Sequence, residues 1–107
     1  ARLERRDFFR VKRKMQVTIR KAGEDEVHRV KLIDIGGGGA GVDNSEGYLK
    51  EGEEVRITLD LPKTGELAVN GRVVRTSKED AIAHLQFEDL LEGTRDKIIS
   101  FVLREEV

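Results

Sequence analysis

Val55-Arg56-Ile57-Thr58-Leu59-Asp60-Leu61-Pro62, residues 55–62, decides the fold class. Apolar residues occupy every second position with polar residues between them, the two-residue period of a strand that buries one face. The chain's only proline then ends the run, because proline has no N–H to give to a sheet ladder. Beyond it, Lys63-Thr64-Gly65 has turn chemistry and the period resumes as Leu67, Val69, Gly71, Val73 and Arg75. The glycine inside this long fifth strand marks a bulge or a close backbone contact. Ser77-Lys78-Glu79-Asp80 is a further turn, followed by a sixth strand over residues 81–87. From about Glu92 to Arg104 the period lengthens: Ile98 and Val102 are four apart and Phe101 follows Ile98 by three, the spacing of one helix face.

Working back toward the N-terminus, Asn44-Ser45-Glu46-Gly47 and Lys50-Glu51-Gly52-Glu53 are loop segments around Tyr48 and Leu49. A third strand spans residues 40–43. The second runs from Val27 through Val30, Leu32 and Ile33 to Asp34, and a polar hairpin over residues 22–26 joins it to the first, residues 11–21. In that first strand Met15, Val17 and Ile19 face one way and Gln16, Thr18 and Arg20 the other. Six antiparallel strands and one closing helix predict a mainly β domain, a closed or nearly closed six-stranded antiparallel β-barrel, since closure removes exposed edges. A two-sheet sandwich is the alternative. With four phenylalanines and one tyrosine in 107 residues, the core must be built chiefly from Val, Ile and Leu.

Length and composition exclude several classes. One domain of modest core is expected from 107 residues. No apolar stretch approaches the roughly 20 residues that a membrane helix needs, so direct membrane insertion is not expected. The chain has no cysteine, which excludes disulfides, thiolate nucleophiles and cysteine zinc sites and makes the cytoplasm the default location. It begins at Ala1 with no signal-peptide pattern, as a piece of a longer protein would. His28 and His84 lie in separate strands without paired spacing, so no metal site is expected. No nucleophile with an adjacent base and orienting partner is discernible, and the chain is not read as an enzyme.

Charge is segregated. Residues 1–14 hold seven basic side chains (Arg2, Arg5, Arg6, Arg10, Lys12, Arg13 and Lys14) against Glu4 and Asp7, an excess of five. The remainder therefore carries −6 in a chain whose net charge is −1. A cationic arm on an acidic body suits a compact anion held by the arm, whereas a nucleic acid lying across the body would be repelled. Only Phe8 and Phe9 accompany the basic segment as stacking surfaces, which argues further against nucleic acid.

Two short segments complement each other chemically. Arg5-Arg6-Asp7-Phe8-Phe9-Arg10 offers planar, permanently charged forks that match phosphate oxygens. Asp34-Ile35-Gly36-Gly37-Gly38-Gly39 offers an acceptor carboxylate followed by backbone with no Cβ, which can approach a ligand closely.

The ordered pair resembles the PilZ domain family, the bacterial receptor module for cyclic di-GMP, over roughly residues 3–105. Its R-x-x-x-R signature falls on Arg6 to Arg10, with Arg5 just before it. Its [D/N]-x-S-x-x-G signature falls on Asp34 to Gly39, with Gly36 where the serine is expected. Gly71-Arg72-Val73-Val74-Arg75, Leu85-Gln86-Phe87 and the closing helix resemble later parts of the family. The resemblance implies a split-barrel-like domain over residues 13–107 preceded by a flexible basic arm, residues 1–12. It implies cyclic di-GMP as ligand, with no cofactor, bound by Arg5, Arg6, Arg10, Asp34, Gly36 and Gly39. It also implies a protein partner or fused output domain that receives the signal. The alternative is a degenerate PilZ-like domain serving as a protein-interaction module without nucleotide. Arg72 and Arg75 are read as solvent-facing strand residues.

Overall fold

The alternation that decides the fold class is the inner wall of a barrel: Val55, Ile57, Leu59 and Leu61 are buried while Arg56 and Asp60 are exposed. The computed structural model describes the backbone of residues 10–106 and the side chains of residues 15–104. Its strands are β1 (Arg10–Lys21), β2 (Val27–Gly36), β3 (Gly39–Asp43), β4 (Glu54–Leu61), β5 (Gly65–Ser77) and β6 (Ile82–Glu88), followed by helix α1 (Glu92–Glu106).

Neighbours around the sheet run β1-β2-β3-β6-β5-β4, and the antiparallel pairing of β1 with β4 closes it. The barrel is therefore realised and the sandwich is not. Strands β1 to β3 form one meander and β4 to β6 another; residues 44–53 carry the chain between them. That loop is pinned by Asn44, whose Nδ2 donates to the Leu49 carbonyl while its Oδ1 accepts from the Leu49 amide, both at 2.9 Å. Leu49 is thereby buried in the core.

Val17, Ile19, Leu32, Ile35, Ala40, Val42, Leu67, Val69, Val73, Ala83 and Leu85 join them in the interior with Phe87, a chiefly aliphatic core as the composition requires. Helix α1 contributes Ile98, Phe101 and Val102 to it and packs on β1 and β2. Glu92 in its first turn and Arg104 in its last suit the helix dipole, and Arg104 Nη2 donates to Thr64 Oγ1 at 2.8 Å, tying the last turn to the β4–β5 connection. No helix among the described residues is long and apolar enough to cross a membrane.

One boundary differs from expectation in a way that bears on function, and the glycine inside β5 takes the close-contact form of its two expected ones. Strand β1 begins at Arg10, so residues 10–12 lie in the sheet against β2 although the arm was expected to run through residue 12. In β5, Gly71 is a close contact: a Cβ there would lie 3.2 Å from the Gln86 carbonyl oxygen and 3.3 Å from Ile57 Cδ1. The bulge falls further along, between Val73 and Arg75.

Candidate functional site

The pairing of β1 with β2 places Arg10 opposite Gly36, Val11 opposite Ile35 and Lys12 opposite Asp34. The last arginine of the first motif thus sits one strand spacing, about 4.8 Å, from the glycine in the second motif. Arg5 and Arg6 lie outside the described residues, as does the side chain of Arg10.

From Asp34 a single row crosses the sheet. Asp34 pairs with Gly41 in β3, Gly41 with His84 in β6, and His84 with Arg75 in β5. Ladder partners share a face, and this is the outer one, because Ala40, Val42, Ala83 and Leu85 fill the inner positions of β3 and β6. Three register irregularities adjoin the row, between Lys12 and Met15 in β1, Leu32 and Asp34 in β2, and Val73 and Arg75 in β5. Bulges bend strands and re-aim side chains, so the row marks a corner of the barrel.

The acid and the glycines of the second motif have work inside the sheet. The Gly41 amide donates to Asp34 Oδ1 at 2.9 Å, which aims the carboxylate across β3. Gly39 lies so near β6 that a Cβ there would overlap the Leu85 carbonyl oxygen, and the Gly38 carbonyl accepts from the Phe87 amide at 2.9 Å. Gly36, Gly37, Gly39 and Gly41 are all buried. Left-handed glycines among the described residues fall instead at Gly23, Gly47, Gly52 and Gly65, outside the tetrad.

Gly41 was not singled out by sequence reasoning, although its signal is visible: it follows Gly39 by two, so both occupy the same face of β3. A Cβ on Gly41 would approach Asp34 Oδ1 to 2.9 Å. The two arginines of β5 separate in character. Arg72 is a clasp, its Nε on Glu88 at 3.1 Å, Nη2 on Glu54 at 2.7 Å and Nη1 on the Gly52 carbonyl at 3.3 Å. The hydrogen bond and charge of Glu88, and then the charge of Glu54, hold its guanidinium pKa above the ordinary value. Among the described residues Arg75 reaches only His84, with Nη2 3.2 Å from Nε2.

The opposite rim of the barrel carries a second polar cluster. His28 stacks on Tyr48 with centroids 3.6 Å apart, Lys21 Nζ lies over the Tyr48 ring 4.2 Å from its centroid, and Lys21 also bonds Glu53 at 3.0 Å. Burial first, and then the nearby charge of Glu24, push the Tyr48 phenol up, against the lowering effect of Lys21. No group of three or more metal-ligand side chains occurs among the described residues.

Known proteins corroborate the architecture. Residues 4–104 match the PilZ domain family model. Among solved structures, the chain is similar to the PilZ domain of CeSA from a cellulose-synthesizing bacterium, at 20% identity and TM-score 0.70, covering 92% of this chain and 98% of that one. It is similar to the Bacillus subtilis inhibitor of motility MotI/DgrA at 19% identity and TM-score 0.76, covering 92% of this chain and 49% of that one. It is also similar to the PilZ domain of YcgR from Escherichia coli, a structure with c-di-GMP, at 17% identity and TM-score 0.69, covering 92% and 91%. No curated protein sequence matches significantly.

Proposed function

This chain belongs to the PilZ domain family, and from that premise we propose that it is a receptor domain for cyclic di-GMP, binding through the basic segment ahead of β1 and the Asp34–glycine turn. The observation that carries the reading is the β1–β2 register, in which Arg10 faces Gly36 across one strand pair. Two motifs 26 positions apart in the chain are neighbours in the fold, as a composite site requires. The YcgR relatives and PlzA of Borreliella burgdorferi were solved with c-di-GMP, which supports the same ligand here.

The chemistry is complementary. Cyclic di-GMP presents two phosphodiesters and two guanines. Arginine forks pair with phosphate or with guanine O6 and N7, and their planes lie over purine faces. A carboxylate offers about four acceptor positions. The Gly41 amide donates to Asp34 Oδ1 and so holds the carboxylate, which in this reading accepts from guanine N1 and N2. Each charge-assisted hydrogen bond contributes about 1.5–3 kcal/mol, so removal of one arginine weakens binding roughly ten- to a hundredfold. In this reading the segment before β1 closes over the ligand and repositions whatever is joined to it or docked beside it.

Calorimetric titration with cyclic di-GMP tests the proposal. Binding by the unsubstituted domain, lost in Arg6→Ala, Arg10→Ala and Asp34→Ala, is the expected result. Unchanged amide exchange over residues 1–12 at saturating ligand would refute the closing arm. A second reading, a protein-interaction module without nucleotide, draws on Gly36 in the serine position and on the packing duties of Gly39 and Asp34. Calorimetric silence together with retained binding of a partner protein would favour it.

A further inference from the structure

Strand β5 buries Leu67, Val69, Gly71 and Val73 in strict alternation, and the next inward position by count is Arg75. The side chain does not go in. The register shift between Val73 and Arg75 inserts Val74 as an extra residue, and both Val74 and Arg75 stand exposed on the outer face, Val74 at 47%. A bulge that turns an arginine outward beside an apolar side chain does so on the row that starts at Asp34. Three strand steps of about 4.8 Å put Arg75 about 14 Å from Asp34 along the sheet.

Its hydrogen bonding distinguishes Arg75 from its neighbour. Arg72 is neutralised by Glu54 and Glu88. Arg75 has no carboxylate partner among the described residues; its Nη2 donates to His84 Nε2 at 3.2 Å. A guanidinium has no acceptor, so Nε2 must be the unprotonated ring nitrogen. Such an acceptor holds the arginine in place without cancelling its charge, and the Arg75 side chain is exposed. Between Asp34 and this fork, Gly41 adds no side chain to the row.

We infer that Arg75 is a further ligand-binding residue, forming the far wall of the nucleotide site: a guanine rests its face on Val74 and presents O6 and N7 to the Arg75 fork, while His84 acts as a positioning residue for the arginine. This rests on the cyclic di-GMP reading and extends it across β3 and β6 to β5. It also assigns a source of base specificity, because adenine has an N6 donor where guanine has the O6 acceptor, and an arginine can satisfy only the latter.

The experiment is a set of titrations of the whole domain with cyclic di-GMP and, as competitor, cyclic di-AMP. Arg75→Ala is expected to weaken cyclic di-GMP about tenfold or more, equivalent to about 1.4 kcal/mol, and to narrow the preference over cyclic di-AMP, with the unfolding midpoint unchanged. His84→Ala is expected to weaken binding severalfold in the parent and to have no further effect when added to Arg75→Ala, the coupling expected of a positioning residue. Parent-like affinity of Arg75→Ala, or an equal loss for both nucleotides, would overturn the inference while leaving the receptor reading intact. A parent domain that binds no cyclic di-GMP overturns the receptor reading itself, and this extension with it.

Discussion

Replacing Gly39 with alanine isolates how much of the glycine motif serves the barrel. The added methyl would overlap the Leu85 carbonyl oxygen, with the Leu85 carbonyl carbon at 3.2 Å and Gln86 Cα at 3.3 Å. All three are backbone atoms of the paired strand β6, so no side-chain rotation relieves them. Overpacking a tight site costs about 1–3 kcal/mol, and more where backbone must move. About 3 kcal/mol is expected here, a large share of the 5–15 kcal/mol that stabilises a typical domain. With a urea dependence near 1.5 kcal/mol per molar, the denaturation midpoint should fall by about 2 M. Gly71→Ala meets one carbonyl oxygen at 3.2 Å and, at 3.3 Å, Ile57 Cδ1, the end of a side chain rather than backbone, so its midpoint should fall by well under half as much. Gly93→Ala, in α1 with nothing within 4 Å, should gain about 0.5–1 kcal/mol from helix propensity and lost chain entropy. The order of stability is thus Gly93→Ala, parent, Gly71→Ala, Gly39→Ala. A Gly39→Ala midpoint within 0.5 M of the parent would refute the close approach of β3 to β6 and leave ligand contact as the reason for glycine there.

Substitutions at three further positions separate structural from binding roles. Asp34→Asn keeps an acceptor for the Gly41 amide and should cost under about 1 kcal/mol, whereas Asp34→Ala leaves that donor unpaired and should cost about 1–3 kcal/mol, read by thermal unfolding without ligand; equal effects of the two would show that the bond contributes nothing. For Glu53, burial raises the carboxyl pKa, but the Lys21 hydrogen bond, the Lys50 amide and the charges of both lysines outweigh it and hold it below the ordinary value. Its ionised form is therefore favoured by folding, so Glu53→Gln should lower the melting temperature at pH 7, and the gap should close as pH falls below about 4.5 and through the depressed folded value. A gap that stays constant, or widens, as the pH falls would contradict this. The Tyr48 hydroxyl is buried beside the Lys21 backbone without a hydrogen bond of good geometry among the described residues, so Tyr48→Phe should be neutral or stabilise by up to about 1 kcal/mol in chemical denaturation; a clear loss would reveal a partner for the hydroxyl.

Strand number, the direction of each apolar face and the closing helix were legible because they depend on neighbours in the chain. Val55 to Leu61 bury alternate residues whatever strand lies alongside, since side chains on a pleated backbone point to opposite faces in turn. Ile98, Phe101 and Val102 meet on one helix face for the same local reason. The two motifs could likewise be seen as a pair, because their chemistry is complementary. Their adjacency could not, since it follows from the β1–β2 register that sets Arg10 against Gly36.

The same limit applies to the row through Asp34, Gly41, His84 and Arg75. Sequence placed these residues in four strands, but only the registers of β2 with β3, β3 with β6 and β6 with β5 align them. It also explains Gly39, whose missing side chain answers to a carbonyl 46 positions away in the chain. One clue lay in the sequence unread: Arg75 falls on the inward phase of β5, where a charge in an aliphatic core is too costly, so the strand had to break phase before it. Alternation is set residue by residue, whereas which strands pair, and where a bulge shifts their register, is decided by closing a barrel whose contacts are mostly distant in the chain.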